Sequence, residues 1–358
     1  MATFVKSTSP YIRKETSAKR MMVDVLIALI PLVMFAVYRF GANAALRIVV
    51  AILTMVLAEV GSVMIRHKPH PRVKGFKDRF VDRIKKVSLL NIITPIISAT
   101  IFVMMIPSTL PIYTVILGAF TGIVFAKLFF GGLGANIFNP AAVAFIITLL
   151  SFGAQFKYVG IDALAGATPL GALGDSFSNI AVMVKHYSLT DLFLGNIPGG
   201  MGEISAALII IGGIYLFVRK AADWRVTVSM LATFSILTLI ATFALNLNNY
   251  FEVLAYQLLS GGLLFGAVYM ATDPVTSPVT KPGRWIYGLI LGALVVLIRV
   301  FGSNIEGVAY AIIIANMFVP LIDYYKWSKS NYTWKMWLGY GITLVLLSLT
   351  VFIGLGGL

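Results

Sequence analysis

The sequence predicts an all-α integral membrane protein: about ten transmembrane helices as two inverted five-helix repeats with broken helices, plus an eleventh apolar helix at the C-terminal end. Three observations carry that prediction. The 358 residues are 59% hydrophobic and only 12% charged, with a mean hydropathy of +0.92, well outside the soluble range. Apolar runs of membrane-spanning length recur along the whole chain. Two of those runs are interrupted by Gly, Asn, Asp and Pro at a depth where lipid supplies no hydrogen-bond partner. Irregular backbone survives there only where protein buries it or it lines a polar cavity.

In chain order, a polar, basic segment at 1–20 comes first. The apolar run after it is span-length, too long for the core of a cleavable signal peptide. Spans are expected at about 21–40, 44–65, 88–107, 111–130 and 141–155, forming a first membrane repeat over 21–155. Inside it the stretch 66–86, RHKPHPRVKGFKDRFVDRIKK, is basic and partly amphipathic, and suits the membrane surface or a partner. A connection at 156–202, rich in Gly, Ala, Ser and Asp, is of the length that functional loops have. A second repeat over 203–322 holds spans at about 203–219, 225–247, 253–271, 285–301 and 307–322. The segment 323–358 closes the chain with an apolar run at 336–357.

Topology follows from the basic residues. With the N-terminus cytoplasmic, 22 of the 28 Lys and Arg fall on inner segments, nine of them in 66–86. Arg39, Arg47, Lys157 and Lys185 fall outside or at outer span ends, and Lys127 and Arg299 lie within spans. That asymmetry is the positive-inside signature. It also accounts for the net charge of +14 without nucleic acid as a partner; lipid is the surrounding phase.

The halves echo each other. Ile112-Tyr-Thr-Val-Ile-Leu-Gly-Ala119 matches Ile286-Tyr-Gly-Leu-Ile-Leu-Gly-Ala293, and Ala135-Asn-Ile-Phe-Asn-Pro140 matches Ala315-Asn-Met-Phe-Val-Pro320. The matches pair the fourth and fifth spans with the ninth and tenth. An offset of five helices inverts the second half, and inverted repeats place sites near the midplane at their interface. Gly and Ala at close helix contacts would produce a similar pattern.

The interrupted segments are Gly131-Gly-Leu-Gly-Ala-Asn136-Ile-Phe-Asn139-Pro140 and Ser260-Gly-Gly-Leu-Leu-Phe-Gly-Ala-Val-Tyr-Met-Ala-Thr272-Asp273-Pro-Val-Thr276-Ser-Pro278. Half-helix ends there present free N–H groups that could hold ring carbonyls or a phosphate, and free C=O groups that could hold a cation. Asn136, Asn139, Thr272, Asp273 and Thr276 would add side-chain partners, or would serve only to satisfy the kinked backbone. Asp24, Glu59, Lys127 and Arg299 are intramembrane charges and so candidates for an ion pathway. All four stand near enough to span ends to snorkel. In the 156–202 connection, Asp162-Ala-Leu-Ala-Gly166-Ala167-Thr168-Pro-Leu170 sets a hydroxyl among small residues. The following proline favours extended backbone at that threonine.

There is no cysteine, so thiolate-held iron–sulfur clusters, thiolate zinc sites and disulfides are excluded. Three histidines, two of them in 66–86, argue against haem or copper. No metal site and no catalytic residue is expected.

On these residues the chain resembles the RnfD and NqrB family: the D subunits of Rnf electron-transport complexes and, more distantly, the B subunits of sodium-pumping NADH:quinone reductases. The resemblance rests on Ser9-Pro-Tyr11, GGLGANIFNPA at 131–141, AGATPL at 165–170, SGGLLFGAVYMATDPVTSP at 260–278 followed by Gly283-Arg284, and ANMFVPLIDYY at 315–325. It implies FMN attached through its phosphate to Thr168, within a loop that includes Asp162, Gly166 and Ala167, by an extracytoplasmic flavin transferase. It allows a second flavin, riboflavin, in the membrane core. It implies a bacterial inner-membrane subunit that relays electrons between partners and couples them to Na+ or H+ transport. With no nucleotide-binding fingerprint in this chain, ferredoxin and NADH chemistry would belong to partner Rnf subunits: soluble ones carrying the NADH and iron–sulfur sites, beside further membrane subunits. Two departures stand out. Ala165 stands where such motifs often have Ser, and the apolar run in 331–358 extends past the family's usual end.

A channel or secondary transporter also needs inverted repeats and broken helices, and the Asp162–Thr168 loop separates the two readings. A purely structural scaffold would need no intramembrane breaks.

Overall fold

The computed structural model describes residues 17–69, 75–158, 168, 170, 187–247, 249–302, 307–324 and 330–356. Among the described residues every regular element is helical. They are α1 (Ala18–Phe40), α2 (Ala42–Arg66), α3 (Phe76–Ile84), α4 (Leu90–Met105), α5 (Ile112–Ile123), α6 (Pro140–Phe152), α7 (Leu189–Leu194), α8 (Ala206–Val218), α9 (Trp224–Ala244), α10 (Tyr250–Leu259), α11 (Leu263–Phe265), α12 (Lys281–Phe301), α13 (Val308–Ile322) and α14 (Trp334–Gly354). Five of them, α1, α2, α9, α12 and α14, are long and apolar enough to cross a membrane. A sixth span is a pair bent by 61°, Tyr250–Leu259 with Leu263–Met270. Shorter apolar helices occupy the remaining expected spans. The chain is a multi-pass membrane protein.

Local chemistry sets the helix ends. Ser17, Asn139, Ser188, Asp223, Thr280 and Thr333 each accept a backbone N–H from the first turn of the helix they precede, which satisfies donors that a helix start leaves open. Pro140 and Pro282 stand in first turns, where no N–H is needed.

The same positions pack in both halves. In the first, α2 lies against α4 and α5, α5 against α6, α4 against α6, and α1 against α4. In the second, α9 lies against α10 and α12, α12 against α13, the segment after α11 against α13, and α8 against α11. Between the halves α1 meets α8 and α6 meets α13. Small residues allow these approaches: a Cβ at Gly118 would strike Thr148, and one at Gly292 would crowd Met230 and Thr233. The two matched glycines thus both sit at close helix crossings, but against different neighbours.

The charged stretch holds α3, an exposed helix with no buried residue. Phe76, Phe80 and Ile84, spaced by four, are all exposed. The C-terminal helix α14 packs on α9 and α12 through Tyr340, whose hydroxyl lies 3.0 Å from that of Ser229 and 3.3 Å from that of Thr233. Trp285, Trp337 and Tyr340 form an edge-on aromatic cluster beside it.

Two features depart from the expected spans. The second interrupted segment breaks at Ser260–Gly262, ahead of the Asp273 break; Gly261 and Gly262 both have φ of 64°. And the helix before each interruption ends in a π turn, Val124–Leu128 after α5 and Gly266–Met270 after α11. Such turns cluster at functional sites and have no sequence signature here.

Candidate functional site: a cleft between the two broken segments

The two interruptions, far apart in sequence, meet. Asn136, Asn139 and Pro140 of the first and Thr272, Asp273, Pro274 and Val275 of the second line one cleft, with Lys127, Thr94 and Ser98 on its wall. Met22 and Val25 of α1 and Leu216 of α8 complete it, so both halves contribute.

Side chains stitch the interruptions together. The Asn139 amide donates to the Met270 carbonyl at 3.3 Å. The Asn139 backbone N–H donates to Asn316 Oδ1 at 3.1 Å, and Asn316 Nδ2 donates to the Thr276 carbonyl at 3.0 Å and to the Tyr287 hydroxyl at 2.8 Å. Asn316, fully buried on α13, is therefore the hub of the junction. Sequence reasoning passes over it, although the repeat contains the signal: Asn316 is the counterpart of Asn136 in the matched Ala-Asn-x-Phe-x-Pro segments.

The expectation of free N–H groups at the first break is corrected. Ala141 and Ala142 N–H both donate to Asn139 Oδ1, at 3.0 and 3.3 Å, Val143 N–H donates to the Asn139 carbonyl, and Pro140 has none. The start of α6 is closed from within. Asn136 makes only one long bond, to the Phe138 carbonyl at 3.4 Å. In the second segment Thr272 bonds back to Val268. Asp273 accepts from Val275 N–H at 3.4 Å and from the Thr276 hydroxyl at 2.9 Å. Thr276 is buried and supports Asp273 rather than lining the cleft. Among the described residues Asp273 has no ion-pair partner.

The intramembrane charges do not snorkel. All four are buried in protein, because each finds a polar partner on a neighbouring helix. Lys127, in the π turn after α5, pairs with Glu59 of α2 at 3.1 Å and donates to Thr94 at 2.8 Å; Asn91 donates to the other Glu59 oxygen at 3.2 Å. Asp24 of α1 accepts from Arg219 and Tyr215, each at 3.1 Å, which ties the first half to the second beside the cleft. Arg299 of α12 lies away from the cleft. It holds the Ser260–Gly262 bend of the second segment, donating to carbonyls of Gln257, Ser260 and Gly261 at 2.7, 3.1 and 3.3 Å.

At that same bend stands Leu170, a described residue inside the long connection. Leu170 is fully buried, and a Cβ on Gly261 would strike it and press on the Arg299 guanidinium. Thr168, two residues earlier, is also buried, at 8% exposure, and takes part in a polar or electrostatic contact. The hydroxyl set among small residues thus belongs to a buried threonine. Asp162, Gly166 and Ala167 lie outside the described residues. The expected site residues therefore separate into a cleft group and a bend group.

A multi-pass helical membrane protein with two broken segments meeting in a cleft that holds Lys127 and Asp273 between its halves is of the class that moves ions or small solutes, or relays charge, across a bilayer. Comparison with known proteins narrows this. The chain belongs to the NQR2, RnfD, RnfE family, which matches residues 5–332. It is 33% identical over 334 residues to the D subunit of the proton-translocating ferredoxin:NAD(+) oxidoreductase complex of Clostridium ljungdahlii, covering 89% of this chain and 93% of that one. It is 31% identical over 364 residues to the D subunit of the ion-translocating oxidoreductase complex of Actinobacillus succinogenes, covering 90% of this chain and 96% of the relative. With the B subunit of the Na(+)-translocating NADH-quinone reductase of Klebsiella pneumoniae it shares 37% over 242 residues, 64% of this chain and 58% of the relative. Helix α14 lies beyond the family match.

Proposed function

We propose that this chain is the flavin-carrying membrane component, the D subunit, of an ion-translocating ferredoxin:NAD oxidoreductase complex, relaying electrons and coupling them to Na+ or H+ transport. The observation that carries this reading is the charged cleft between the two broken segments, in a chain whose relatives of near-equal length are named as the D subunits of such complexes. The sequence has no cysteine for an iron–sulfur cluster and no nucleotide-binding fingerprint, and we assign the NADH and iron–sulfur sites to soluble partner subunits. The exposed apolar face of α3 suits the inner membrane surface or one of those partners. The distribution of Lys and Arg supports a cytoplasmic N-terminus and an extracytoplasmic 156–202 connection.

Thr168 is the residue we assign to FMN, as a phosphoester on its hydroxyl. The bend fits such a group in one respect: the buried Arg299 guanidinium supplies positive charge beside Leu170, two residues along the chain from the threonine. Because Thr168 is packed, an extracytoplasmic flavin transferase would act before the loop seats on Gly261, or on an opened loop. Bound there, the flavin supplies the redox chemistry, while this chain supplies position and charge. The second flavin, riboflavin, fits the cleft less well, because the α6 N–H groups that would have held it are taken by Asn139.

Intact-mass analysis with in-gel flavin fluorescence, after expression with a flavin transferase, tests the assignment. The expected result is one added FMN, mapped to the peptide holding Thr168 and absent from Thr168→Ala, which still inserts in the membrane. Covalent flavin retained in Thr168→Ala would refute the assignment. An unmodified wild-type chain, with the transferase active on a control protein, would favour the channel or secondary-transporter reading, for which the same cleft would be the substrate site.

A further inference from the structure

Beside Asp273 the cleft carries a second feature that ion transport by itself does not explain: a buried lysine. Lys127 and Glu59 are 3% and 0% exposed, and Lys127 lines the cleft that Asp273 also lines. A buried ion pair costs more in desolvation than its attraction returns unless further hydrogen bonds support it. Here Glu59 has Asn91, and Lys127 has Thr94. The pair itself is an ion contact at 3.1 Å in which Glu59 Oε2 makes no aligned hydrogen bond. Glu59, Asp273 and Arg66 are the charges that act on Lys127 through space. The remaining charges bordering the cleft, Asp24 and Arg219, neutralise each other. Arg66 is exposed and sits on the Gly131 carbonyl; among the buried charges Glu59 and Lys127 likewise cancel, so ionised Asp273 leaves the cleft one buried negative charge in excess, in surroundings where such a charge is expensive.

We propose that Lys127 is a tethered cation that competes with a free monovalent cation, a sodium ion or a proton, for the Asp273 carboxylate, and that Glu59 sets the competition by holding Lys127 away. This deepens the ion-translocating reading and rests on it. While Lys127 sits on Glu59, Asp273 is open to the free cation. When Lys127 crosses to Asp273 it displaces that cation and leaves Glu59 to Asn91. The lysine stem is flexible and carries its charge at the end. It stands in the π turn directly ahead of the first interruption, so any shift of that turn moves Lys127 and the segment leading to Asn136 together. For a sodium ion the cleft offers oxygen from Asp273, Asn136 and Thr94, the ligand type hard cations take.

The test uses the whole purified complex in detergent. Sodium binding is read from the dependence of the unfolding midpoint on NaCl against choline chloride at equal ionic strength. Proton binding is read from its pH dependence without sodium. The component lost in Asp273→Asn is the component due to this cleft. Its response to sodium identifies sodium as the cation; a response to pH alone identifies the proton.

Glu59→Gln frees Lys127 for Asp273 and should weaken cation affinity about tenfold or more, and Lys127→Gln should strengthen it by a similar factor, as expected for one nearby charge. Each single variant strands a buried charge, so the neutral pair Glu59→Gln/Lys127→Gln is made as well. It should bind more tightly than wild type and less tightly than Lys127→Gln, which keeps the Glu59 charge, an order that mere loss of packing would not give. A neutral pair that binds no more tightly than wild type overturns the inference, as does the absence of any Asp273-dependent component. Covalent flavin is scored in the same preparations. Flavin present without Asp273-dependent binding overturns the tethered cation and leaves the flavin-subunit reading standing. Asp273-dependent binding without flavin does the reverse.

Discussion

In the first broken segment the loose backbone is closed from within: Asn139 caps α6 with its own side chain, and Arg66 reaches across from α2 to the Gly131 carbonyl. In the second, closure comes from other parts of the chain. Arg299 of α12 gathers the carbonyls at Ser260 and Gly261, Asn316 of α13 takes the Thr276 carbonyl, and Leu170 of the long connection fills the space over Gly261. Among the described residues, Asp273 is the acid that lines the cleft, and no cation is paired with it. Two breaks of similar composition thus have different duties: the first caps its own helix start and is tied to the second through Asn139, and the second joins the long connection, α12, α13 and the cleft.

That difference predicts unequal sensitivity to the same substitution. Gly261 has φ of 64° and Gly134 has φ of 82°, so alanine at either meets the left-handed penalty of about 1–2 kcal/mol. Nothing lies within 4 Å of a Cβ on Gly134, whereas one on Gly261 strikes Leu170. Gly261→Ala adds an overpacking cost of about 1–3 kcal/mol, and so should destabilise by about 2–5 kcal/mol in total. It should also unseat Leu170, read as faster proteolysis of the long connection. Gly134→Ala should leave proteolysis unchanged. Equal thermal shifts for the two would mean that the second break is closed from within as the first is.

Repeat mates sharpen the same point. Asn316→Ala orphans the buried Asn139 N–H and the Thr276 carbonyl, at about 1–3 kcal/mol for each group left unsatisfied. We expect a loss of about 2–4 kcal/mol, seen as a lowered unfolding midpoint in detergent. Asn136→Ala removes a single 3.4 Å bond, and should shift that midpoint by no more than about 0.5 kcal/mol. If the two variants behave alike, Asn316 is not the junction between the halves.

Much of this architecture is legible in the sequence. Span positions follow from apolar runs that only a bilayer explains, and the two breaks from Gly, Pro, Asn and Asp where lipid forbids loose backbone. The bend at Gly261 is harder to read, because Ser260-Gly-Gly lies inside an otherwise continuous apolar run and glycine is common in packed membrane helices. The pairing of Lys127 with Glu59 is not readable at all. Both sit near span ends, where snorkelling is the default, and only the approach of α2 to the π turn brings them together. The two π turns are invisible for the same reason: a change in hydrogen-bond register leaves no mark on the hydrophobic pattern. Asn316 is readable in principle, through its match to Asn136, but a polar residue in the middle of an apolar helix discloses its partners only when the halves are docked.

A smaller effect than that of Asn316→Ala is expected outside the two broken segments. Helix α14 lies outside the family match and has just 6% of its apolar window buried, so it contributes little enclosed surface. Its polar attachment is Tyr340, which meets the hydroxyls of Ser229 and Thr233 on α9. Tyr340→Phe keeps the ring among Trp285 and Trp337 and removes only the hydroxyl; Ser229 retains its bond to the Trp285 carbonyl at 2.6 Å. The expected loss is about 0.5–1.5 kcal/mol, with cation binding and flavin content unchanged. A larger fall, or a change in either property, would make α14 part of the machinery that the two broken segments build.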